Sequence, residues 1–528
     1  MNRSKLTRLF AGFTAALLTA GTLSLGVFAV PAQEDTQIRI FHTNDVHSRY
    51  DASVNDDGTL SGFGYARMKT LVDTYSQGVD KTLVFDAGDT FHGQPFATLN
   101  RGLSIAQLMD VVGYDAVVAG NHDFNYGASR TPTLARYAGA TLLGANVLNK
   151  DTGTVLKGFT ANKMYRVGDV KIGVFGLSTP ETAYKTNPLN VKQVKFADPV
   201  STAKKQVQAL EERGADVIIC IAHLGIDQES GTAVSTNVAA KVDGIDLIID
   251  GHSHSTPNEY QPVNGTVIVS CGEYMAYLGM VDITVAPDGT VTVESNPLKA
   301  SDYTADEIAP DAAVQAKIDA IKKGQESKLG QVVATTPVAL DGERAHVRTG
   351  ETNLSRLITS AMLAETGADV ALTNGGGIRA SIDQGPITVG EVQNVLPFGN
   401  YIVTIRLTGK DLRAAVEHGL PGYQADGTLE QLGRMSQFAG MEVSYDPARP
   451  QGSRILSITV NGKPLSETQT YLVATNDFMS VGGDDYTMLN KPVVNEFCAL
   501  DEAVINYLND SGSEALEQAE GAVRLAAA

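Results

Sequence analysis

Residues 116–127 read Ala116-Val117-Val118-Ala119-Gly120-Asn121-His122-Asp123-Phe124-Asn125-Tyr126-Gly127. The first four make an apolar run of strand type, and a glycine, a carboxamide, an imidazole and a carboxylate follow at its end. Carboxylate and amide oxygens suit hard cations, whereas imidazole suits zinc-like ions or proton transfer. Asn and Asp also favour turns and helix caps, so by itself the stretch is equally a plain turn between strand and helix. What decides is how many other strands end the same way.

The pattern recurs along the first half of the chain. Residues 38–41 alternate and run into His42-Thr43-Asn44-Asp45-Val46-His47, and residues 82–85 run into Asp86-Ala87-Gly88-Asp89. The apolar run 216–222 delivers His223, and 245–249 delivers Asp250-Gly251-His252-Ser253-His254. One histidine at a strand end is usually a satisfied polar residue, but five strands ending in ligand-type side chains point to a site. Collected, these groups are Asp45, His47, Asp89, Asn121, His223, His252 and His254. They are too many for one tetrahedral ion and suit two cations sharing a bridging carboxylate. The Asp-x-His and His-x-His spacings put both side chains of a pair on one side of an extended backbone.

Between these strands lie helical signals. Asp198-Pro199 supplies a cap and a first-turn proline, Val200, Ala203, Val207 and Leu210 an apolar face, and Gly214 a stop. Alternating strands and helices predict a layered α/β domain, with its site at the carboxyl edges of the strands. Residues 301–329 change character, and an Ala-, Lys-, Asp- and Gln-rich helix is expected over 311–323 as a linker. A second α/β unit follows. Its first helix, after Asn353, carries Leu354, Leu357, Ile358 and Met362 and stops at Gly367; the strand Val370-Ala371-Leu372 then enters Asn374-Gly375-Gly376-Gly377-Ile378-Arg379. The expected division is a leader over 1–32, a first domain over 33–305, a linker helix over 306–330 and a second domain over 331–528.

Length and composition fit this plan. A chain of 528 residues that is 43% hydrophobic allows about three domains or two large ones. The leader assignment rests on basic Arg3, Lys5 and Arg8, an apolar, small-residue-rich stretch to Val30, and a cleavage site at Val30-Pro31-Ala32 or Val27-Phe28-Ala29. No later segment reads as a membrane span. With three cysteines a disulfide framework is poor, and Cys220 and Cys271, both in apolar strand contexts, read as buried free thiols. A net charge of −19 repels nucleic-acid polymers and anionic membranes. A small anionic substrate therefore needs a locally positive site, from metal ions or clustered Arg; Arg344, Arg348 and Arg379 lie in one region, although each by itself reads as a solvated surface charge. Phe398, in Pro397-Phe398-Gly399-Asn400, and Phe478, in Asn476-Asp477-Phe478, read by themselves as core residues, yet flanks of polar residues and glycine favour exposed aromatic edges able to stack on a base.

These motifs resemble the calcineurin-like metallophosphoesterases, and more narrowly the secreted 5′-nucleotidase family with its UDP-sugar hydrolase and cyclic-nucleotide phosphodiesterase relatives. The resemblance covers nearly all of the chain after the leader. It implies a four-layer α/β/β/α first domain, a linker helix and an α/β substrate-binding second domain. It also implies two divalent ions, zinc, manganese or similar, with Asp45, His47, Asp89 and His254 around one and Asp89, Asn121, His223 and His252 around the other. By the same resemblance His122 is the catalytic histidine, and Asn125 stands where many relatives carry an Asp paired with it. Arg344, Arg348, Arg379 and Asn374 fall at substrate-pocket positions, Phe398 and Phe478 at a base sandwich, Asn400 at a base contact and Asp484 at a ribose-hydroxyl acceptor.

The activity implied is hydrolysis of nucleoside 5′-monophosphates outside the cell by a metal-activated water. The runner-up is a 2′,3′-cyclic-nucleotide 2′-phosphodiesterase with 3′-nucleotidase activity, toward which Asn125 pulls, or a UDP-sugar or dinucleotide pyrophosphatase. A nucleotide-binding surface protein is the non-enzymatic alternative. A monomer or weak dimer is expected, with the second domain turning about the linker to present substrate.

Overall fold

The computed structural model describes residues 34–527 apart from 187, 228, 229 and 522, so the expected leader lies outside the described residues. Two sheets face each other in the first half. One runs in the order Val291–Ser295, Tyr277–Val285, Thr36–Thr43, Lys81–Asp86, Ala116–Val118, Thr141–Leu143, with Leu298–Lys299 pairing off its second strand. The other runs Val267–Val269, Leu247–Ile249, Val217–His223, Val170–Ser178, Asn162–Val167. Of the strands that lead to the expected ligands, all but Thr36–Thr43 are parallel to both neighbours, and Thr36–Thr43 is parallel to Lys81–Asp86 but antiparallel to Tyr277–Val285: Ile40 stands opposite Leu83, and Ile219 opposite both Val174 and Leu247. Parallel strands are buried on both faces, which is why they read as nearly unbroken apolar runs.

Alternate side chains of the two sheets meet in a shared core: Ile40, Leu83 and Val118 from one, Val174, Ile219 and Ile249 from the other. The outer face of the first sheet is covered by the helices Gly64–Tyr75, Leu103–Val112 and Thr131–Tyr137, and that of the second by Pro199–Glu212 and Ser235–Lys241. This is the four-layer α/β/β/α order. The helix Pro199–Glu212 begins as its sequence signals: the Asp198 side chain accepts from Ser201 N at 2.8 Å, a cap worth about 1 kcal/mol. It ends as they signal too, at Gly214 with φ +75°.

The helix expected over 311–323 runs Ala312–Leu329, capped by Asp311, whose side chain accepts from Ala313 N and Val314 N. Its Val314, Ile318 and Ile321 belong to the helix-covered core of the first half, and its C-terminal end lies against Val389–Val395 of the second.

The second half is a five-stranded sheet in the order Ser436–Ala439, Val370–Asn374, Thr470–Asn476, Tyr401–Thr408, Val493–Ala499. Helices Asn353–Thr366 and Leu500–Glu520 cover one face, and Gly409–Gly419 with the strands Met441–Tyr445 and Ile455–Val460 the other. The predicted stop at Gly367 is a left-handed cap with φ +64°. Cys220 and Cys271 are buried free thiols, as expected, and Cys498 is a partly buried one. Among the described residues no helix is long and apolar enough to cross a membrane.

Candidate active site

The strand ends converge. Asp45, His47 and His254 offer ligand atoms within 4.8 Å of one another, and so do Asp89, His223 and His252. The backbone is bent to bring them there: Asp45 (φ 49°), His47 (φ 43°), Asp89 (φ 54°), His252 (φ 86°) and His254 (φ 53°) all occupy the left-handed region. Non-glycine residues avoid that region, and where surroundings enforce it the strain clusters at ligand clamps. Gly120 permits the closest approach, because a Cβ there would lie 2.2 Å from Asp89 Oδ1.

Hydrogen bonds fix which edge of each ring faces inward. His223 Nδ1 donates to Ala87 O at 2.7 Å, leaving Nε2 facing Asp89 Oδ2 at 3.1 Å. His254 Nδ1 meets Glu273 Oε2 at 2.8 Å, leaving Nε2 3.5 Å from Asp45 Oδ1 and 3.2 Å from His47 Nε2. The Asn121 amide donates through Nδ2 to Lys185 O at 2.9 Å and to Glu496 Oε2 at 3.2 Å, which turns its Oδ1 inward. Partners of this kind orient metal ligands from behind.

Two of the inward-facing atoms are buried without a hydrogen-bond partner: Asn121 Oδ1 and His223 Nε2, the latter close to Asp89 but out of hydrogen-bond alignment. Burial opposes charge on His223, yet the Asp89 carboxylate pushes it up to about 10; likewise burial is outweighed at His254, where Asp45 and Glu273 push the imidazole up to about 9. The pocket thus demands positive charge at these nitrogens. Divalent cations answer that demand in place of protons, since a ligating nitrogen is unprotonated. Carboxylate, amide and imidazole donors in two adjoining groups fit two such ions of the zinc or manganese kind.

The stretch 120–125 is turn and site at once. His122–Phe124 is a single 3-10 turn, and His122 N donates to Asp89 Oδ1 at 2.8 Å. Asp123 does not join the ligands. Its carboxylate accepts from Asp89 N (2.9 Å), Thr90 N (3.0 Å), Phe91 N (2.8 Å) and Gly120 N (2.9 Å), binding two ligand-bearing loops together. Asn125 Oδ1 lies 2.7 Å from Thr186 Oγ1, and Asn125 Nδ2 donates to His122 Nδ1 at 3.2 Å. The His122 ring then carries its proton on Nε2, and burial pushes its pKa down to about 3, keeping it neutral.

Arg348, Asn374, Arg379, Phe398, Asn400, Phe478 and Asp484 line one cavity of about 420 Å³ in the second half. Phe398 is 49% exposed and Phe478 44%, high values for large aromatics, and they leave ring surface free for stacking. The Arg379 guanidinium lies 5.5 Å over the Phe398 ring, and Asn374 Nδ2 donates to Asp484 Oδ2 at 2.8 Å. A second cavity leads from Phe398 and Phe478 to His47 and His254, so nucleoside-type and metal-type groups share one cleft. Arg344 stands apart, exposed on the short helix Arg344–Val347 and outside the cavity lining.

Sequence reading missed four neighbours of this cleft. Arg49 lines both cavities and lies 4.7 Å over the Tyr274 ring. Glu181 accepts from Lys185 Nζ at 3.2 Å and meets His252 Nε2 at 2.8 Å; it sits in the short 3-10 turn Pro180–Ala183, which carries no local signal of a site. Glu496, from Val493–Ala499 in the second half, places Oε2 3.3 Å from His122 Nε2, and burial pushes its carboxyl up to about 8. A Glu inside the run Val493-Val494-Asn495-Glu496-Phe497 was the available signal. Tyr401 packs edge-on against His122 at 4.6 Å.

Comparison with known proteins agrees with this geometry. The family described as calcineurin-like phosphoesterase matches residues 38–256, and the 5′-nucleotidase C-terminal domain matches 332–491. The trifunctional nucleotide phosphoesterase protein YfkN of Bacillus subtilis (strain 168) is 34% identical over 501 residues, 86% of this chain and 32% of that protein. The chain thus spans about a third of that relative's length. Protein UshA of Escherichia coli (strain K12) is 31% identical over 530 residues, 91% of this chain and 92% of that one. Among solved structures, the 5′-nucleotidase precursor from Thermus thermophilus is 31% identical, covers 90% of this chain and 96% of its own, and superposes with a TM-score of 0.55. With both domain types present in this order and relatives matched along nearly their whole length, the chain belongs to the 5′-nucleotidase family of metal-dependent phosphoester hydrolases.

Proposed function

We propose that this protein hydrolyses nucleoside 5′-monophosphates to nucleoside and phosphate, with Asp45, His47, Asp89 and His254 holding one divalent ion and Asp89, Asn121, His223 and His252 a second. The observation that carries this reading is the convergence of five backbone-strained ligand-type residues, two of which, His47 and His254, line a cleft that also holds Phe398 and Phe478. Bound ions of this kind supply Lewis acidity, a water acidic enough to attack, and neutralisation of phosphoryl charge. The chain's own groups do the rest. His122, neutral with its proton on Nε2, donates a hydrogen bond to a phosphoryl oxygen or to the charge developing on the leaving 5′ oxygen. Phe398 and Phe478 sandwich the base, Asn400 meets its edge, Asp484 accepts from a ribose hydroxyl, and Arg348 and Arg379 hold the anion with Arg344 adding charge nearby. The leader over 1–32 directs the chain out of the cytoplasm, where it acts as a monomer or weak dimer.

Asn125 favours a second reading, a 2′,3′-cyclic-nucleotide phosphodiesterase with 3′-nucleotidase activity. An amide at this position hydrogen-bonds His122 without adding the negative charge of an Asp. The test is phosphate release from AMP, 3′-AMP, 2′,3′-cyclic AMP and UDP-glucose, each with and without chelator. Release led by AMP supports the main reading, and release led by the cyclic and 3′ substrates the second. No release from any of the four with metal present leaves a nucleotide-binding protein.

A further inference from the structure

His92 is 1% exposed, packed where the two halves meet, and no step above uses it. Its ring lies parallel to that of His122, with planes 9° apart and centroids at 5.9 Å. The two rings share one partner: Asn125 Nδ2 stands 3.2 Å from His122 Nδ1 and 3.3 Å from His92 Nδ1. An amide NH2 has two protons, and each Nδ1 accepts one only when it carries none itself. Both rings therefore hold their proton on Nε2. On His92 that atom is buried without a hydrogen-bond partner and faces Glu502 Oε2 at 3.8 Å, an oxygen that is also buried and unpartnered. Glu502 belongs to the first turn of Leu500–Glu520, in the second half.

We propose that His92 is a positioning residue for His122: faced by Glu502, it anchors the Asn125 amide and so holds His122 as the tautomer whose proton points at the substrate. Were the Asn125 amide to turn over, its oxygen would meet both Nδ1 atoms and draw the protons there, leaving His122 Nε2 bare. Thr186 holds the other end of the amide, but its hydroxyl can donate or accept and does not fix the orientation. The two imidazoles and Glu502 do. Because Glu502 comes from the second half, the arrangement is complete only with that half seated as it is here. The proposal rests on the hydrolytic reading above.

The test compares His92→Leu with His92→Gln in the metal-loaded full chain. Leu fills similar space with no acceptor, whereas the Gln oxygen can still accept from Asn125. Two readouts are taken: kcat and KM on the substrate the wild type hydrolyses fastest, and the nitrogen-15 shifts of the His122 ring. His92→Leu is expected to lower kcat roughly tenfold, the lower end of what losing an orienting partner costs, with KM nearly unchanged. The His122 signals should move from a single Nε2–H tautomer to a mixture, and His92→Gln should restore both kcat and signals. Wild-type kcat and an unmoved His122 spectrum in His92→Leu would overturn the proposal, as would Leu and Gln variants that fail alike. If the wild type hydrolysed nothing, the functional reading would fall, while the His122 spectra would still judge the positioning role.

Discussion

Phe398 and Phe478 present ring surface to the cleft, and their proposed role is to stack on the base of a nucleotide. Stacking on an aromatic ring contributes about 1–3 kcal/mol per base, so Phe398→Ala or Phe478→Ala should raise KM for a nucleoside monophosphate roughly tenfold. Hydrolysis of p-nitrophenyl phosphate should be spared; equal loss on both substrates would contradict the stacking role. Asn125 gives a second test at this scale. A carboxylate beside His122 favours the charged imidazole, and Asn125→Asp should lift its pKa from the low value that burial imposes. The neutral ring is lost as pH falls through that raised pKa, so the acidic limb of the turnover profile should shift to higher pH. A profile that stays put would show that position 125 does not tune His122. The carboxylates and imidazoles that gather in two clusters were legible in sequence because those groups carry their chemistry with them. Glu496, Glu181, Arg49 and His92 were not, because each acts through a partner far away in the chain.

Among the elements, the loops after the strands do most to shape the site, and Asp123 is their fastener. Its four backbone donors come from the loop of Asp89 and from Gly120, so the ligand-bearing segments move together. Asp123→Asn replaces an oxygen with an amide that must face donors, and should cost on the order of 3 kcal/mol of stability, read by denaturant unfolding. Metal affinity should fall with it, since Asp89 is no longer held; an unchanged midpoint and metal content would argue against the fastener. The ligand-bearing strands were readable because burial on both faces makes them uniformly apolar. Their edges were less so. The run expected from Ile245 is a regular strand only over Leu247–Ile249, although Asp246 N donates to Ile218 O at 2.9 Å and the Asp246 side chain accepts from Ile218 N at 2.8 Å. The helix expected to stop at 323 continues to Leu329, since Gln325 is buried through a hydrogen bond to Phe96 O at 2.8 Å, which apolar periodicity cannot register.

At the scale of the whole molecule, the two halves divide the work and meet at the site. The first holds the two clusters of carboxylate and imidazole, and the second the cavity lined by Phe398 and Phe478. How they touch was not legible, because Glu496 reaches Asn121 and His122 only after both sheets have formed. On the proposed reading, the Glu496 carboxyl group stands where a phosphoryl group engages the same two residues. Glu496→Ala should therefore lower KM by a few-fold as a competing contact is lost, whereas a raised KM would mean that Glu496 belongs to the substrate-bound arrangement. The central claim, a two-ion centre that hydrolyses nucleotides, is tested most directly by phosphate release from AMP in metal-loaded, chelated and reloaded protein. The account predicts release by the loaded protein, its loss when the metal is stripped, and its return when zinc or manganese is restored. Release that persists after complete removal of metal, or no release from the loaded protein, would contradict it.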